Sequence, residues 1–319
     1  MEKNDFRIVF MGTPDFAVRI LDELVKNNYN LVGVITARDK PAGRGQQVSE
    51  SAVKKYASER GLNVLQPTNL KDLAFIGELR DLQADLFVVV AFRMLPEIVW
   101  LMPPKGTINL HASLLPNYRG AAPINWAVIN GEKETGVTTF FIEKEIDTGK
   151  VIERSSITIG ENETVGELHD RLMELGAQVT ASTVEKIMLD KADAIDQLKL
   201  TEGDLKSAPK IFKPDCEIKW DRPMAEVHNF IRGLSPYPAA WCYLSNAKGE
   251  KRSFKIFRGE PTDIPVTDHT HLKEEKDGIL FPCADHYIKV TELQPEGKRR
   301  MNFKEFLAGN SLNDWSLNR

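Results

Sequence analysis

The chain has 319 residues, of which 42% are hydrophobic and 28% charged, the composition of a globular protein long enough for two domains. No apolar run approaches the roughly 18 to 20 residues that span a bilayer, which argues against membrane insertion. The formal net charge of −4 argues against a general nucleic-acid binder, although residues 1–207 carry −6 and residues 208–319 carry +2.

The first part of the chain alternates strand-like and helix-like segments. In chain order these are the strand FRIVFMG, the helix DFAVRILDELVKN, the strand LVGVIT, the helix ESAVKKYASERG, and the strands ADLFVVVA and GTINLHA. The apolar, β-branched ADLFVVVA is typical of a central strand that is covered on both faces. The pattern predicts an α/β fold with a Rossmann-like, mostly parallel sheet and helices on both faces.

The alternation stops after a long helical pattern over about 164–190. The segment TEGDLKSAPKIFKPDCEIKW that follows is rich in proline and charge, as a linker would be. We therefore predict a first domain over 1–195, a linker over 196–208 and a second domain over 209–319. Short strand-like pieces such as AAWCYLS and YIKVTELQP, separated by turn residues, predict a small β-barrel or sandwich in the second domain.

The N-terminus and the cysteines indicate the compartment. MEKNDFRIVFMG lacks the basic flank, the apolar stretch and the cleavage site of a secretory signal, so we expect a cytoplasmic protein. Cys216, Cys242 and Cys283 are widely spaced and form no C-x-x-C pair, which argues against a disulfide framework and a zinc site.

The turn after the first strand does not fit a dinucleotide site. Gly12 is followed by Thr13, Pro14 and Asp15, so the glycines of a G-x-G-x-x-G fingerprint are missing. We expect Gly12 and Pro14 to shape a tight strand-to-helix turn, with the Asp15 carboxylate near the helix N-terminus.

Two polar residues stand at the end of GTINLHA, where an open parallel sheet binds its ligands. Residues two apart in a strand face the same side, so Asn109 and His111 would form a pair of hydrogen-bond donors. Such donors stabilise the oxygen of a carbonyl under nucleophilic attack by roughly 3 to 4 kcal/mol each. In the alternative interpretation, Asn109 bonds a local backbone group and His111 is a hydrogen-bonded core histidine.

A third candidate lies in FFIEKEIDTGKVIERSSITI, which predicts two strands joined by a turn at Asp147, Thr148 and Gly149. A carboxylate near His111 would orient the imidazole and favour its charged form, which improves it as a donor or proton shuttle. In the alternative, Asp147 only stabilises its own turn. The sequence leaves both interpretations open.

These motifs also carry a family resemblance. NLHASLLPNYRGAAP followed by DTG resembles the 10-formyltetrahydrofolate-dependent formyltransferase family, specifically its members that formylate methionyl-tRNA. The likeness extends from RIVFMGTPDFA through KPAGRG to LQPEGKRRMNFKEFL. It implies transfer of the formyl group of 10-formyltetrahydrofolate to the α-amine of initiator methionyl-tRNA, with Asn109, His111 and Asp147 as catalytic residues and no metal.

The resemblance also implies where the two substrates bind. The folate would contact two segments, Phe92, Arg93, Met94 and Leu95, and Ser113, Leu114, Leu115 and Pro116. The tRNA would contact the basic residues Lys40, Arg44, Arg119, Lys298, Arg299 and Arg300. The second domain would be an OB-like β-barrel that docks the tRNA. On composition alone, the loop RDKPAGRGQQ and the KRR cluster could equally be solvated surface.

The acceptor remains the open question at this level. Relatives that formylate a purine precursor or an amino sugar share the catalytic residues and SLLP, whereas YRGAAPINWA and the presence of a second domain favour tRNA. One alternative is a folate-dependent formyltransferase that acts on a small amine such as a nucleotide sugar. Another is a folate-binding or RNA-binding module without turnover, against which the three catalytic candidates argue. We expect a monomer.

Overall fold

The computed structural model describes residues 2–42, 47–200, 203–246, 248–312 and 314–317. The chain forms two compact units that interleave along the sequence. The first unit comprises Met1–Gly120, Gly136–Ile157 and Asp170–Ser207, and the second comprises Ala121–Thr135, Thr158–His169 and Ala208–Arg319. This arrangement differs from the single boundary expected at 196–208.

The secondary structure is mixed throughout the described residues. The strands, in chain order, are β1 Arg7–Gly12, β2 Asn30–Ile35, β3 Lys40–Ala42, β4 Gln47–Ser49, β5 Val64–Leu65, β6 Leu86–Val90, β7 Thr107–His111, β8 Arg119–Gly120, β9 Glu134–Phe141, β10 Val151–Thr158, β11 Ser207–Ala208, β12 Ala240–Asn246, β13 Lys251–Pro265, β14 Lys273–Glu275, β15 Gly278–Pro282, β16 His286–Pro295, β17 Met301–Asn302 and β18 Trp315–Leu317. The helices are α1 Asp15–Lys26, α2 Ala52–Glu59, α3 Leu73–Asp81, α4 Glu97–Trp100, α5 Pro123–Ile129, α6 Val165–Met188, α7 Met224–Leu234 and α8 Phe303–Leu307. Short 3-10 turns lie at Gln197–Lys199 and Lys213–Cys216.

The main sheet of the first unit has the strand order β10-β9-β7-β6-β1-β2-β5. Strand β1 pairs in parallel with β2 and β6, β6 pairs in parallel with β7, and β7 pairs antiparallel with β9. All five residues of β6, LFVVV, are buried, as expected for a strand covered on both faces. The predicted mostly parallel α/β sheet is therefore confirmed.

The helices of the first unit bury their apolar faces. In α1 the buried residues Phe16, Ile20, Leu21 and Leu24 recur at helical spacing. The predictions for α1, α2 and α6 are confirmed to within a few residues at each end, whereas α3 had not been predicted. No helix among the described residues is both long and apolar enough to cross a membrane.

The second unit is built on an antiparallel sheet with the order β14-β15-β16-β13-β12-β18, and β17 pairs with β16. The long strand β13 shifts register against β16 at three places, and such bulges bend and twist a strand. The sheet therefore curls, consistent with the OB-like fold, around a core that includes the stacked rings of Trp220 and Phe281. Helices α7 and α8, which had not been predicted, pack against this core.

Helix α5 explains part of the interleaving. The Asn125 side chain donates to the Gly233 carbonyl, and a Cβ added to Gly233 would lie 2.6 Å from Ile129. Glycine at 233 therefore lets α7 approach α5 closely. This packing assigns α5 to the second unit, although it precedes β9 in the chain.

Candidate active site

Strand β7 carries Asn109 and His111 on one face, two residues apart, as predicted. Asn109 lies opposite Val89 of β6 and Phe140 of β9, and His111 lies opposite Thr138 of β9. His111 is buried and Asn109 is half-buried. The carboxyl ends of β6 and β7 are neighbours, because Val90 pairs with Leu110.

The His111 imidazole is oriented through Nε2. This atom lies 2.8 Å from the Tyr118 carbonyl oxygen, which only accepts hydrogen bonds, so Nε2 is the nitrogen that carries the proton and donates. The other nitrogen, Nδ1, lies 3.8 Å from Oδ2 of Asp147. In the neutral imidazole, Nδ1 is then the nitrogen that carries the lone pair.

Asp147 lies close to His111, as the hypothesis of a shared site requires. Its Oδ2 accepts a hydrogen bond from the Gly120 backbone N–H at 3.0 Å and faces His111 within ion-pair range. The 3.8 Å separation is longer than a direct hydrogen bond. The Asp147 backbone is in the left-handed region, with φ of 56°, which aspartate tolerates better than most residues.

The turn after Asp147 requires glycine. A Cβ added to Gly149 would lie 1.7 Å from the Phe141 carbonyl oxygen. The backbone at 149 therefore packs directly against the end of β9, and this contact fixes the loop that carries Asp147.

The Asn109 amide is available for a ligand. Among the described residues, none forms a hydrogen bond with the Asn109 side chain, although the hydrogen bonds of its neighbours Thr107 and His111 are made. A half-buried amide with unused N–H groups, beside a histidine whose orientation is fixed, can donate to an oxygen that gains negative charge.

The first segment proposed for folate follows β6. Phe92 is half-buried and packs against the core of the first unit, while Leu95 is buried. Met94 is 73% exposed. Arg93 donates to the carbonyls of Pro67 and Thr68. The segment therefore presents Met94 at the carboxyl edge of the sheet, next to the end of β7.

The second segment proposed for folate is mostly internal. Ser113 is fully buried, and its Oγ donates to the Asn117 carbonyl at 2.7 Å. Leu115 is also fully buried, packed with Phe140 and Val151. Pro116 is buried and Leu114 half-buried. The side chains of Ser113 and Leu115 therefore shape the loop from inside.

Gln197 is a site residue that had been placed in the predicted linker. It is 1% exposed, and its side chain bonds with Arg119, Asp147 and Gly149. These partners are 48 to 78 residues away in sequence, so no local pattern marks Gln197. Neither Tyr118 nor Gly120, which act through backbone groups, had been predicted.

The basic residues proposed to contact tRNA differ in exposure and in whether their side chains already bind another residue. Lys40 is exposed and starts β3, which pairs antiparallel with β4, whereas Arg44 lies outside the described residues. Arg119 is half-buried and bound to Gln197. Arg299 pairs with Glu305, Arg300 pairs with Glu292 through two bonds, and Lys298 is exposed.

The second unit contains a groove of about 740 Å³ that had not been predicted. Its walls include three aromatic residues, three lysines and one glutamate, namely Tyr237, Trp241, Tyr243, Lys210, Lys213, Lys255 and Glu296. Tyr237 is 83% exposed, and the rings of Trp241 and Tyr243 are 5.3 Å apart. Aromatic faces beside lysines are the surface that unpaired nucleotides bind.

Two family matches cover most of the chain. Residues 6–184 match the formyl transferase family, and residues 210–311 match the formyl transferase C-terminal domain. The methionyl-tRNA formyltransferase of Bacteroides thetaiotaomicron is 52% identical over 319 residues, covering 98% of each chain. That of Flavobacterium johnsoniae is 51% identical over 320 residues, also with 98% of each chain covered.

Solved structures share the fold at lower identity. An N-formyltransferase from Helicobacter canadensis, in complex with folinic acid and dTDP-3-aminofucose, has a TM-score of 0.66 at 20% identity and covers 89% of this chain and 98% of its own. Glycinamide ribonucleotide transformylase 1 from Symbiobacterium toebii has a TM-score of 0.51 at 18% identity, covering 60% of this chain and 94% of its own.

Proposed function

The chain belongs to the methionyl-tRNA formyltransferase family, and we propose that it transfers the formyl group of 10-formyltetrahydrofolate to the α-amine of initiator methionyl-tRNA. The observation that carries this proposal is the convergence of Asn109, His111 and Asp147 at the carboxyl end of β7. These groups give the family likeness a chemical basis in this chain.

Asn109 supplies the electrostatic part of the chemistry. When an amine attacks a formyl carbon, negative charge develops on the carbonyl oxygen, and a donor already aimed there needs no reorganisation. Asn109 is half-buried, and among the described residues none forms a hydrogen bond with its side chain. We therefore assign Asn109 as the principal oxyanion donor.

His111 moves the proton. Its Nε2 proton is held by the Tyr118 carbonyl, so Nδ1 is the atom that accepts a proton from the attacking amine and returns it to the leaving nitrogen. Asp147 lies 3.8 Å from Nδ1 and stabilises the charge that the imidazole carries between these two steps. Once protonated, Nδ1 also becomes a second donor beside Asn109.

The folate fits the carboxyl edge of β6 and β7. When bound, 10-formyltetrahydrofolate supplies the activated one-carbon unit, and the protein supplies orientation and electrostatics. Met94 and the Phe92 ring offer apolar surface, Arg93 offers a cation, and Leu114 and Pro116 border the same edge. Leu95, Ser113 and Leu115 hold the two loops in shape from the interior.

The tRNA is the acceptor that the second unit favours. We assign Lys40, Arg44 and Arg119 to the acceptor end, and the cluster of Lys298, Arg299 and Arg300 to the tRNA backbone, with Lys298 making the phosphate contact. The lysine and aromatic groove adds a surface suited to unpaired nucleotides. The groove is lined by three lysines and one glutamate, and this excess of positive charge favours a polyanion.

The decisive experiment measures formyl transfer from 10-formyltetrahydrofolate to methionyl-tRNA by the wild type and by His111→Ala, with uncharged tRNA as the control. We expect transfer by the wild type, a loss of about 10²- to 10⁴-fold in the variant, and none to uncharged tRNA. Equal rates for the variant and the wild type would contradict the assignment of His111.

A small amine is the competing acceptor. The N-formyltransferase from Helicobacter canadensis, whose structure contains a bound sugar nucleotide, shares this fold. The same assay separates the two. A folded wild type that formylates an amino sugar nucleotide but not methionyl-tRNA would replace the proposed acceptor, whereas the reverse preference supports it.

A further inference from the structure

The Gln197 side chain uses its full hydrogen-bonding capacity inside the first unit. Its Nε2 donates to the carbonyl oxygens of Asp147 and Gly149 at 2.9 and 2.8 Å. Its Oε1 accepts from Nε and Nη2 of Arg119 at 3.1 and 2.6 Å. A primary amide has two N–H donors and two lone pairs, so all four are committed. Gln197 therefore ties the loop of Asp147 to the loop of Arg119.

The first consequence concerns Asp147. Its left-handed backbone, with φ of 56°, persists only when the surroundings hold it there. The bonds of Gln197 to the carbonyls of Asp147 and Gly149 hold the backbone at this position and two residues after it. They fix the direction of the carboxylate that receives the Gly120 N–H and faces His111.

The second consequence concerns Arg119. Within the described part of the chain, its guanidinium bonds to the neutral amide of Gln197 instead of a carboxylate. A neutral partner orients the guanidinium without cancelling its charge, so the cation stays able to attract a phosphate. Arg119 is also bonded covalently to Gly120, whose N–H holds Asp147.

We propose that Gln197 is a positioning residue that orients Asp147 and Arg119 at the same time. It couples the carboxylate that faces His111 to the cation that contacts methionyl-tRNA. The inference rests on the proposed function for its kinetic part. Because an error of about 1 Å in a catalytic group can cost 10²-fold in rate, a clamp of this kind is a direct determinant of turnover.

Two substitutions of similar size break the clamp in different ways. Gln197→Met removes all four bonds, whereas Gln197→Glu keeps an acceptor for Arg119 and loses both donors to the loop of Asp147. We expect both variants to lower kcat by about 10- to 100-fold. We expect the KM for methionyl-tRNA to rise about 3- to 10-fold in both variants, because Met leaves the Arg119 guanidinium without an orienting partner and Glu cancels its charge.

Asn27→Ala is the matched control. The Asn27 amide bonds to Glu23 at the end of α1, at the amino edge of the sheet, so its loss should leave kcat and KM unchanged. Amide hydrogen exchange at Gly120 supplies a readout that does not depend on activity. We expect faster exchange at Gly120 in both Gln197 variants and unchanged exchange in Asn27→Ala, because the Asp147 carboxylate no longer holds that N–H.

The outcomes are distinct. A kcat within threefold of wild type in Gln197→Met, or unchanged Gly120 exchange in both variants, overturns the proposal. A KM for methionyl-tRNA within twofold of wild type in both variants overturns the coupling to Arg119. Failure of the wild type to formylate methionyl-tRNA would sink the proposed function instead, and Gly120 exchange would still test the clamp.

Discussion

At the residue scale, one hydrogen bond defines the chemistry of His111. The Tyr118 carbonyl oxygen accepts a hydrogen bond from Nε2–H, and Nδ1 is left facing Asp147. The tautomer is thus set by a backbone group that has no sequence signature. The spacing of Asn109 and His111, by contrast, was predictable, because alternation in a strand is a local property.

The Asn109 amide should matter for turnover more than for binding. We expect Asn109→Ala to lower kcat by about 10²- to 10³-fold and to leave the KM for folate nearly unchanged, because the donor acts on charge that develops during the reaction. Steady-state kinetics at saturating methionyl-tRNA measures both. Asn109→Asp, which replaces donors with acceptors, should be at least as damaging, and a kcat within threefold of wild type in either variant would contradict the role.

Gly149 should be required for stability. A Cβ there would lie 1.7 Å from the Phe141 carbonyl oxygen, and backbone does not move aside cheaply. We expect Gly149→Ala to lower the free energy of unfolding by about 1 to 3 kcal/mol or more, measured by urea denaturation. Gly77→Ala in α3 is the control, since a Cβ there has nothing within 4 Å and should stabilise by about 0.4 to 1 kcal/mol. Equal unfolding midpoints for the two variants would contradict the packing argument.

At the scale of elements, the strands and helices whose burial follows a regular period could be predicted from the sequence. The buried LFVVV of β6 and the amphipathic α1 carry their pattern within a few residues. The contact of Asp147 with His111 and the clamp by Gln197 depend on residues brought together by the sheet, and neither could be predicted from spacing. Segment 196–208 was read as a linker because composition does not reveal that Gln197 is buried.

Helix α7 introduces a pH dependence through His228. Burial, with a smaller effect of the Arg232 charge, lowers the pKa of His228 from 6.5 to about 4. The side chain is 6% exposed and shares a cavity with Arg232, Arg258 and Glu260. Since the folded state binds fewer protons than the unfolded state, this stabilising contribution is complete above pH 6.5 and is lost as the pH falls toward 4.

We therefore expect His228→Gln to flatten the pH dependence of stability. The difference in unfolding free energy between wild type and variant should change by up to about 3 kcal/mol between pH 7 and pH 4, in the direction that disfavours wild type in acid. Urea denaturation at several pH values measures it. If the unfolding free energies of wild type and variant changed in parallel with pH, the proposed shift in the pKa of His228 would be contradicted.

At the scale of the whole molecule, charge is divided between the two parts of the chain. Residues 1–207 carry −6 and residues 208–319 carry +2, so the net charge of −4 conceals a region able to attract a polyanion. Within that region, neighbouring carboxylates decide which cations are available. Glu292 binds Arg300 through two bonds and Glu305 binds Arg299, whereas Lys298 is exposed beside them.

Salt dependence of methionyl-tRNA binding should therefore distinguish these neighbours. Each phosphate contact releases counterions, so the binding constant falls as salt rises. Removing one contact makes the negative slope of log K against log salt shallower by about 1. We expect that change in Lys298→Ala. Arg300→Ala should change the slope by much less, because Arg300 is already neutralised by Glu292 and must give up a bidentate pair to reach a phosphate.

Lys26→Ala is the control for this comparison, because Lys26 is an exposed cation at the amino edge of the first sheet and pairs with Asp22. Its slope should equal that of wild type. If Arg300→Ala alone lowered the slope while Lys298→Ala matched Lys26→Ala, the Glu292 pair would open on binding, and Arg300 would be the residue that meets the tRNA. The attraction of Arg300 to the tRNA phosphates would then exceed its attraction to Glu292.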